Sequence, residues 1–178
     1  MVNGVGVLIS GSGSNLNAII KNGINIKFVV SNNPNAYGLD IAKNANIPSF
    51  CYKSLQELEK NVYKLHKEYN TKLLVLAGFM RLLSKSFIEL MPDNHIINIH
   101  PSLLPKFKGA HAIEQALQEN VNHTGVTVHF VDEGMDTGPI IIQEEVEIAK
   151  KDTPDTLHKK VQKVEHRLYS YAIKYLLN

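Results

Sequence analysis

Apolar residues recur along this chain in short runs and in helical stripes, and the two kinds of pattern alternate. Val5-Gly6-Val7-Leu8-Ile9 reads as a buried strand, and Leu16, Ala18, Ile19 and Ile20 follow at helical spacing. A second strand is expected over Ile26 to Val30, with Ser31-Asn32-Asn33-Pro34-Asn35 as the turn after it. Gly38 to Asn46 reads as a short helix and Pro48 to Tyr52 as a third strand. From Ser54, a candidate cap, to Tyr69 the residues Leu55, Leu58, Val62 and Leu65 mark a helix whose charged positions form a solvated face. Tyr52, Tyr63 and Tyr69 read as packing residues. Lys72-Leu73-Leu74-Val75-Leu76-Ala77 is nearly all apolar, as expected of a parallel strand covered on both faces.

The second half begins with Ile96-Ile97-Asn98-Ile99-His100, a strand stopped by Pro101, which has no N–H for a ladder. A helix is expected over Ala110 to Leu117. Thr124 to Val131 alternates with period two, and Ile140 to Gln143 makes another strand after a loop. These last two strands read as an antiparallel pair extending a parallel sheet. Thr153-Pro154-Asp155 opens the last helix, with Leu157, Val161, Val164, Leu168, Tyr171, Ala172 and Tyr175 as its buried stripe. The expected fold is α/β: a Rossmann-like, mostly parallel open sheet with an antiparallel C-terminal strand pair and a long C-terminal helix, in one domain over 1–178.

Composition narrows the classes of function. At 178 residues, 44% hydrophobic and 20% charged, the chain can bury a core without metal or disulfide staples. A net charge of +2 and a pI near 8.5 suit an anionic small substrate, and no Lys/Arg block suggests nucleic acid. Cys51 is the only cysteine, which excludes an intramolecular disulfide and a cysteine zinc cluster. Without a membrane-length apolar run or a signal-like N-terminus, the expectation is a cytoplasmic protein. No H-E-x-x-H or similar histidine cluster occurs, so no metal is expected. His66, His95, His123, His158 and His166 read as surface residues, and His111 and His129 either approach the pocket or, as favoured, play structural roles.

The candidate chemistry sits where strands end, since open α/β sheets bind ligands outside the carboxyl ends of their strands. Ser10-Gly11-Ser12-Gly13-Ser14-Asn15 joins a strand to a helix and can offer backbone N–H groups to a phosphate. Leu16 stands where a dinucleotide fingerprint needs its third glycine, so a monophosphate or phosphosugar fits better; the competing reading is a helix capped by Ser12 or Ser14. Gly78-Phe79-Met80-Arg81-Leu82-Leu83 supplies an apolar loop with one arginine. Asn98 and His100, two apart on a strand, point to the same side. An amide beside an imidazole can hold a developing oxyanion and move a proton, or it can be a turn cap beside a structural histidine. Asp136, among glycines in Asp132 to Pro139, either supports a charged imidazole or binds local backbone N–H groups. Glu165, at the edge of the last helix's stripe, is either a boundary residue or an acid facing a polar pocket.

Taken together, Val7 through Leu16, Leu76-Ala77-Gly78-Phe79-Met80-Arg81, Asn98 through Pro105 and Met135-Asp136-Thr137-Gly138-Pro139 resemble the folate-dependent phosphoribosylglycinamide formyltransferases over nearly the whole chain. The resemblance implies a formyltransferase fold and transfer of the formyl group from 10-formyltetrahydrofolate, as co-substrate, to the amine of 5-phosphoribosylglycinamide in purine synthesis. It further implies Asn98, His100 and Asp136 as the catalytic trio and Gly13, Ser14 and Asn15 on the substrate phosphate. Glu165 would meet the glycinamide end, and Met80, Arg81, Leu82, Leu83 and Asn98 would line the folate. Neither a metal nor a covalent intermediate is implied, and the chain is expected as a monomer or homodimer. It departs from the family at Leu55, where an arginine is common, and it stops at Asn178, shortly after the last helix. Rival readings are a formyltetrahydrofolate hydrolase, a methionyl-tRNA formyltransferase, and a silent phosphosugar- or folate-binding module.

Overall fold

The computed structural model describes residues 4–178, so the first three residues of the expected 1–178 domain lie outside the described residues. In chain order the elements are β1 (Val5–Ile9), α1 (Ser14–Lys21), β2 (Ile26–Ser31), α2 (Tyr37–Asn44), β3 (Ser49–Cys51), α3 (Leu55–Tyr69), β4 (Leu73–Leu76), α4 (Lys85–Leu90), β5 (Ile96–His100), α5 (Ala112–Gln118), β6 (His123–Phe130), β7 (Ile140–Glu147) and α6 (Pro154–Leu177). The strands form one sheet in the order β3-β2-β1-β4-β5-β6-β7. β1 to β5 run parallel, whereas β6 is antiparallel to β5 and β7 to β6. The order reverses direction between β1 and β4, and the loops after both strands open at that switch point.

Period-two alternation divides the core. Val7, Ile9, Val29, Val75, Ile97 and Ile99 face a layer built from α1, α2, α5 and α6, while Leu8, Phe28, Val30, Leu74, Leu76 and Ile96 face α3 and α4. Asn98 and His100 share the parity of Ile96 and therefore project from the second face at the carboxyl end of β5.

Several elements differ from expectation. α4 was not foreseen: six residues show too little periodicity, and the helix is held by Ser84, whose hydroxyl accepts from the Phe87 N–H. Ser84 itself donates through N and Oγ to the Glu59 carboxylate at 2.6 and 2.7 Å. Glu59 is consequently buried, not part of a solvated face. β7 runs on to Glu147 because it is an edge strand, where polar residues are tolerated on both sides. The stripe of α6 is phased differently near its end: Tyr171 and Tyr175 are 58% and 67% exposed, while Tyr169 and Ile173 are fully buried. On an ideal 3.6-residue period Tyr175 stays in line with Leu157, so the face buried at this end of α6 is set by packing against the sheet and not by the helix period. Among the histidines read as surface residues, His66 is buried against Thr71 Oγ1 at 2.8 Å and His166 is half-buried. Burial, with Lys67 and His95 nearby, holds the His66 pKa below the usual imidazole value.

Tyr169 ties α6 to the sheet. Its hydroxyl is shared between Leu76 O at 2.9 Å and Ile97 O at 3.1 Å, on the strands that lead to the loops of interest. Tyr169→Phe keeps the ring and removes that link, so an unfolding free energy lower by ~1–2 kcal/mol is expected. Urea titration checks this: the midpoint should fall with an unchanged slope, and an unmoved midpoint would show that the hydroxyl contributes nothing.

Candidate active site

Asn98, His100 and Asp136 come together at the carboxyl end of β5. His100 is 5% exposed and lies between two acceptors. Its Nδ1 is 3.3 Å from Asp136 Oδ2 and its Nε2 is 2.7 Å from the Phe107 carbonyl oxygen. A ring protonated on both nitrogens satisfies both contacts, whereas a singly protonated ring leaves one nitrogen lone pair facing an oxygen. Asn98 donates from Nδ2 to Asp136 Oδ1 at 3.5 Å. The His100 nitrogen away from Asp136 is thus engaged by a backbone carbonyl of the following loop.

Asp136 is the hub. It sits at φ 53, a left-handed conformation that aspartate tolerates better than most side chains. It accepts from the Gly109 N–H at 2.8 Å, from a loop 27 residues away in sequence. Burial would push its carboxyl up, but the hydrogen bond to His129, the Gly109 N–H and the charges of His100 and His129 outweigh this and hold the pKa to about 2. The alternative role, binding local backbone in the turn, belongs to Asp132, which accepts from the Gly134 N–H and the Thr137 hydroxyl. Gly138 lets this loop fold back on β6: a Cβ there would stand 1.9 Å from the Phe130 carbonyl oxygen.

His129, read above as structural, joins the group. It lies directly opposite Asn98 in the β5–β6 register, so their side chains share a face. Its Nδ1 meets Phe130 O at 2.8 Å, while Nε2 lies 3.3 Å from Asn98 Nδ2 and 3.5 Å from Asp136 Oδ1. Without a proton, Nε2 accepts from Asn98; with one, it donates to Asp136. The alternation of Thr127 and His129 along β6 was visible in the sequence, but their pairing with β5 was not.

The glycine-rich loop, at the end of β1, lies two strands over, with β4 between. Gly13 is the N-cap of α1 at φ 73, with no side-chain cap, so neither Ser12 nor Ser14 fills that role. A Cβ at Gly13 would stand 2.6 Å from Gly38 Cα, which fixes glycine here by close packing as well as by backbone angle. The first N–H groups of α1 are thus left for an outside acceptor. Ser10, unflagged in the sequence, binds the surrounding loops together: its hydroxyl donates to Asn32 Oδ1 at 2.6 Å and accepts from the Met80 N–H at 2.8 Å. Asn15 is buried and donates to Glu165 Oε2 at 3.5 Å, while its Oδ1 is buried without a partner among the described residues.

Glu165 therefore turns its carboxylate toward α1 and the glycine loop. Burial pushes its pKa up, and the Asn15 hydrogen bond and the charge of His158 offset only part of that. A raised acid costs the fold stability once it must ionise. At acid pH both states carry the proton; as pH rises, the unfolded chain releases it first and the folded state loses ground. Glu165→Gln should therefore match the wild type in Tm near pH 4 and exceed it at pH 7, and the reverse ordering would show that ionised Glu165 stabilises the fold.

In the loop after β4 the predicted residues separate. Phe79 and Leu83 pack into the α3/α4 core, together with partly buried Leu55. Met80, Arg81 and Leu82 are exposed, with Met80 and Leu82 at 77% and 61%. Among the described residues no group of three His, Cys, Asp or Glu is placed to hold a metal ion, and no helix is long and apolar enough to cross a membrane.

Comparison with known proteins gives the same picture. The formyl transferase family profile matches residues 4–173. The phosphoribosylglycinamide formyltransferase of Bacillus subtilis (strain 168) is 38% identical over 182 residues, covering 96% of this chain and 93% of that protein. The human trifunctional purine biosynthetic protein adenosine-3 is 42% identical over 181 residues, but this chain spans only 18% of its length. The crystal structure of phosphoribosylglycinamide formyltransferase from Anaplasma phagocytophilum superposes with a TM-score of 0.94 at 40% identity, covering 99% of this chain and 88% of the other. Matched by this profile over residues 4–173 and by these relatives over nearly its whole length, the chain belongs to the formyl transferase family, in its phosphoribosylglycinamide formyltransferase branch.

Proposed function

We propose that this chain transfers the formyl group of 10-formyltetrahydrofolate to the primary amine of 5-phosphoribosylglycinamide, giving formylglycinamide ribonucleotide and tetrahydrofolate. The observation that carries this reading is the convergence of an amide, an imidazole and a strongly acidic carboxylate at one strand end, two strands away from an uncapped helix start. The substrate phosphate rests on Gly13, Ser14 and Asn15, whose N–H groups have no helical partner. Glu165, aimed at Asn15, takes the glycinamide end. The folate lies along the exposed loop of Met80, Arg81 and Leu82, with Leu83 contributing only backbone, since its side chain is in the core.

The amine nitrogen attacks the formyl carbon, and the carbonyl becomes a tetrahedral oxyanion. Asn98 Nδ2 and protonated His100 donate to that oxygen, and Asp136 supports the imidazolium charge. The C–N10 bond then breaks, the amine proton passes to folate N10 through His100 or a water, and tetrahydrofolate leaves. For His100 Nε2 to serve as donor, the Phe107 carbonyl must give up its bond. We place this activity in the cytoplasm, in keeping with small-molecule substrates and the absence of a membrane-spanning helix among the described residues.

Purified protein mixed with 10-formyltetrahydrofolate, followed spectroscopically, tests the reading. Tetrahydrofolate should appear only when the ribonucleotide is added. Release without it would identify a hydrolase instead, and binding of both ligands with no release would identify a silent binding module.

A further inference from the structure

Behind the segment that holds His100 lies a cavity of about 600 Å³ containing none of the residues assigned to formyl transfer. Its apolar wall is Leu103, Pro105, Phe107 and Val121, and its polar contribution comes from Asn120, Asn122 and Thr124. Thr124 is 1% exposed, and its hydroxyl oxygen is buried with no hydrogen-bond partner among the described residues, a costly state for a polar atom in a folded protein. At the rim, His123 and Glu145 face each other at 3.6 Å, which leaves Lys106 as the lining cation without an ion-pair partner among the described residues. This size falls in the range of small-molecule sites, and an apolar body with a few convergent polar groups is their usual chemistry.

The same segment reaches the catalytic group from the other side. Phe107 is at φ 54, a left-handed conformation that a bulky side chain rarely adopts, and its carbonyl oxygen meets His100 Nε2 at 2.7 Å. Ser102 Oγ bonds Lys106 O at 2.5 Å, and Thr127 Oγ1 accepts from the Leu104 N–H and donates to Ser102 O. Residues 103–107 are thus a single wall with the cavity on one side and His100 on the other.

We propose that this cavity is a second ligand site, taking a planar aromatic molecule that bears one anionic group, and that its occupancy changes the hydrogen bond between Phe107 O and His100. The ring stacks against Leu103, Pro105, Phe107 and Val121, the anion meets Lys106, and a hydrogen-bonding edge of the ligand engages the Asn120 and Asn122 amides and the Thr124 hydroxyl. Aromatic carboxylates and nucleobase monophosphates share this chemistry. The amides favour the nucleobase, because asparagine can pair with a base edge through two hydrogen bonds.

Two probes, 2-naphthoate and adenosine 5′-monophosphate, are titrated by calorimetry into the intact chain and into two cavity-filling variants, Val121→Trp and exposed Asn122→Trp. At least one probe should bind the wild type, at least ten-fold more weakly to both variants, and several-fold more weakly to Lys106→Ala. Should Val121→Trp fail to fold, Asn122→Trp decides alone, since among the described residues only its backbone oxygen is used, accepting from the Ile148 N–H. Monophosphate binding that survives in the folded variants would place that probe on the glycine loop and count against the site. Binding by neither probe at millimolar concentration overturns the proposal. The link to His100 rests on a separate readout: in histidine-labelled NMR spectra, the His100 ring signal should move on saturation of the wild type and stay put in Asn122→Trp. Binding with the ring signal unmoved would overturn the coupling. None of these measurements uses formyl transfer, so their failure is distinguishable from failure of the proposed function.

Discussion

Replacing His100 by alanine is expected to lower formyl-transfer turnover ~10²–10³-fold, the usual cost of losing one preorganised oxyanion donor, and Asn98→Ala should fall in the same range or below it. The two differ in what they leave behind. His100→Ala strips the imidazole from Asp136 Oδ2 and from the Phe107 carbonyl, but Asp136 keeps the Gly109 N–H and the Asn98 amide. Asn98→Ala leaves the His100–Asp136 pair intact and frees His129 Nε2. Both should retain the fold, because neither side chain belongs to the apolar layers on which the sheet rests. Steady-state kinetics with both substrates saturating, alongside circular dichroism, makes the check. Near-normal kcat in either variant would remove that residue from the transition state, and a lost fold in His100→Ala would recast it as structural.

Asp136→Asn probes the charge alone. Asparagine accepts the left-handed backbone at this position as readily as aspartate does, and it still offers an oxygen to the Gly109 N–H. What disappears is the negative charge beside His100 and His129. A carboxylate that orients and charges an imidazole can be worth several powers of ten, so turnover should fall ~10²–10⁴-fold with KM for the ribonucleotide little changed. Stability supplies a second readout with a fixed sign. Because the folded pKa of Asp136 is depressed to about 2, its contribution is fully present above the ordinary carboxylate value and is lost as pH falls toward 2. The Tm gap between wild type and Asp136→Asn should therefore be widest above about pH 4 and close toward pH 2. A gap independent of pH across that range would mean that the carboxylate charge is not what the fold uses.

Much of this protein was legible along the chain because its signals are local. Strand and helix periods placed Val5–Ile9, Leu73–Leu76 and Ile96–His100 close to where they lie, and the capping residue and proline at Thr153-Pro154 marked the start of α6. That Asn98 and His100 share a face is a property of any strand. Short or drifting signals failed for physical reasons: α4 is shorter than two turns, and the phase of α6 was off where Tyr171 and Tyr175 were read as buried. Glu59 looked like one more helix-surface acid until Ser84 was seen to dock on it.

The contents of the site were divided in the same way. Residue type and position on strand ends were enough to single out Asn98, His100, Asp136, Glu165 and the glycine loop as candidates. Which groups Asp136 meets, and whether His129 stood apart or joined in, depended on strand register and loop return, which bring groups 27 to 38 residues apart into contact. The engagement of His100 Nε2 by a backbone carbonyl left no trace in the sequence, since every residue carries the same carbonyl. Side-chain chemistry is written residue by residue, and the chain by itself determined which groups were on hand. Partnership across space is decided by packing, and only the tertiary structure showed which of those groups meet.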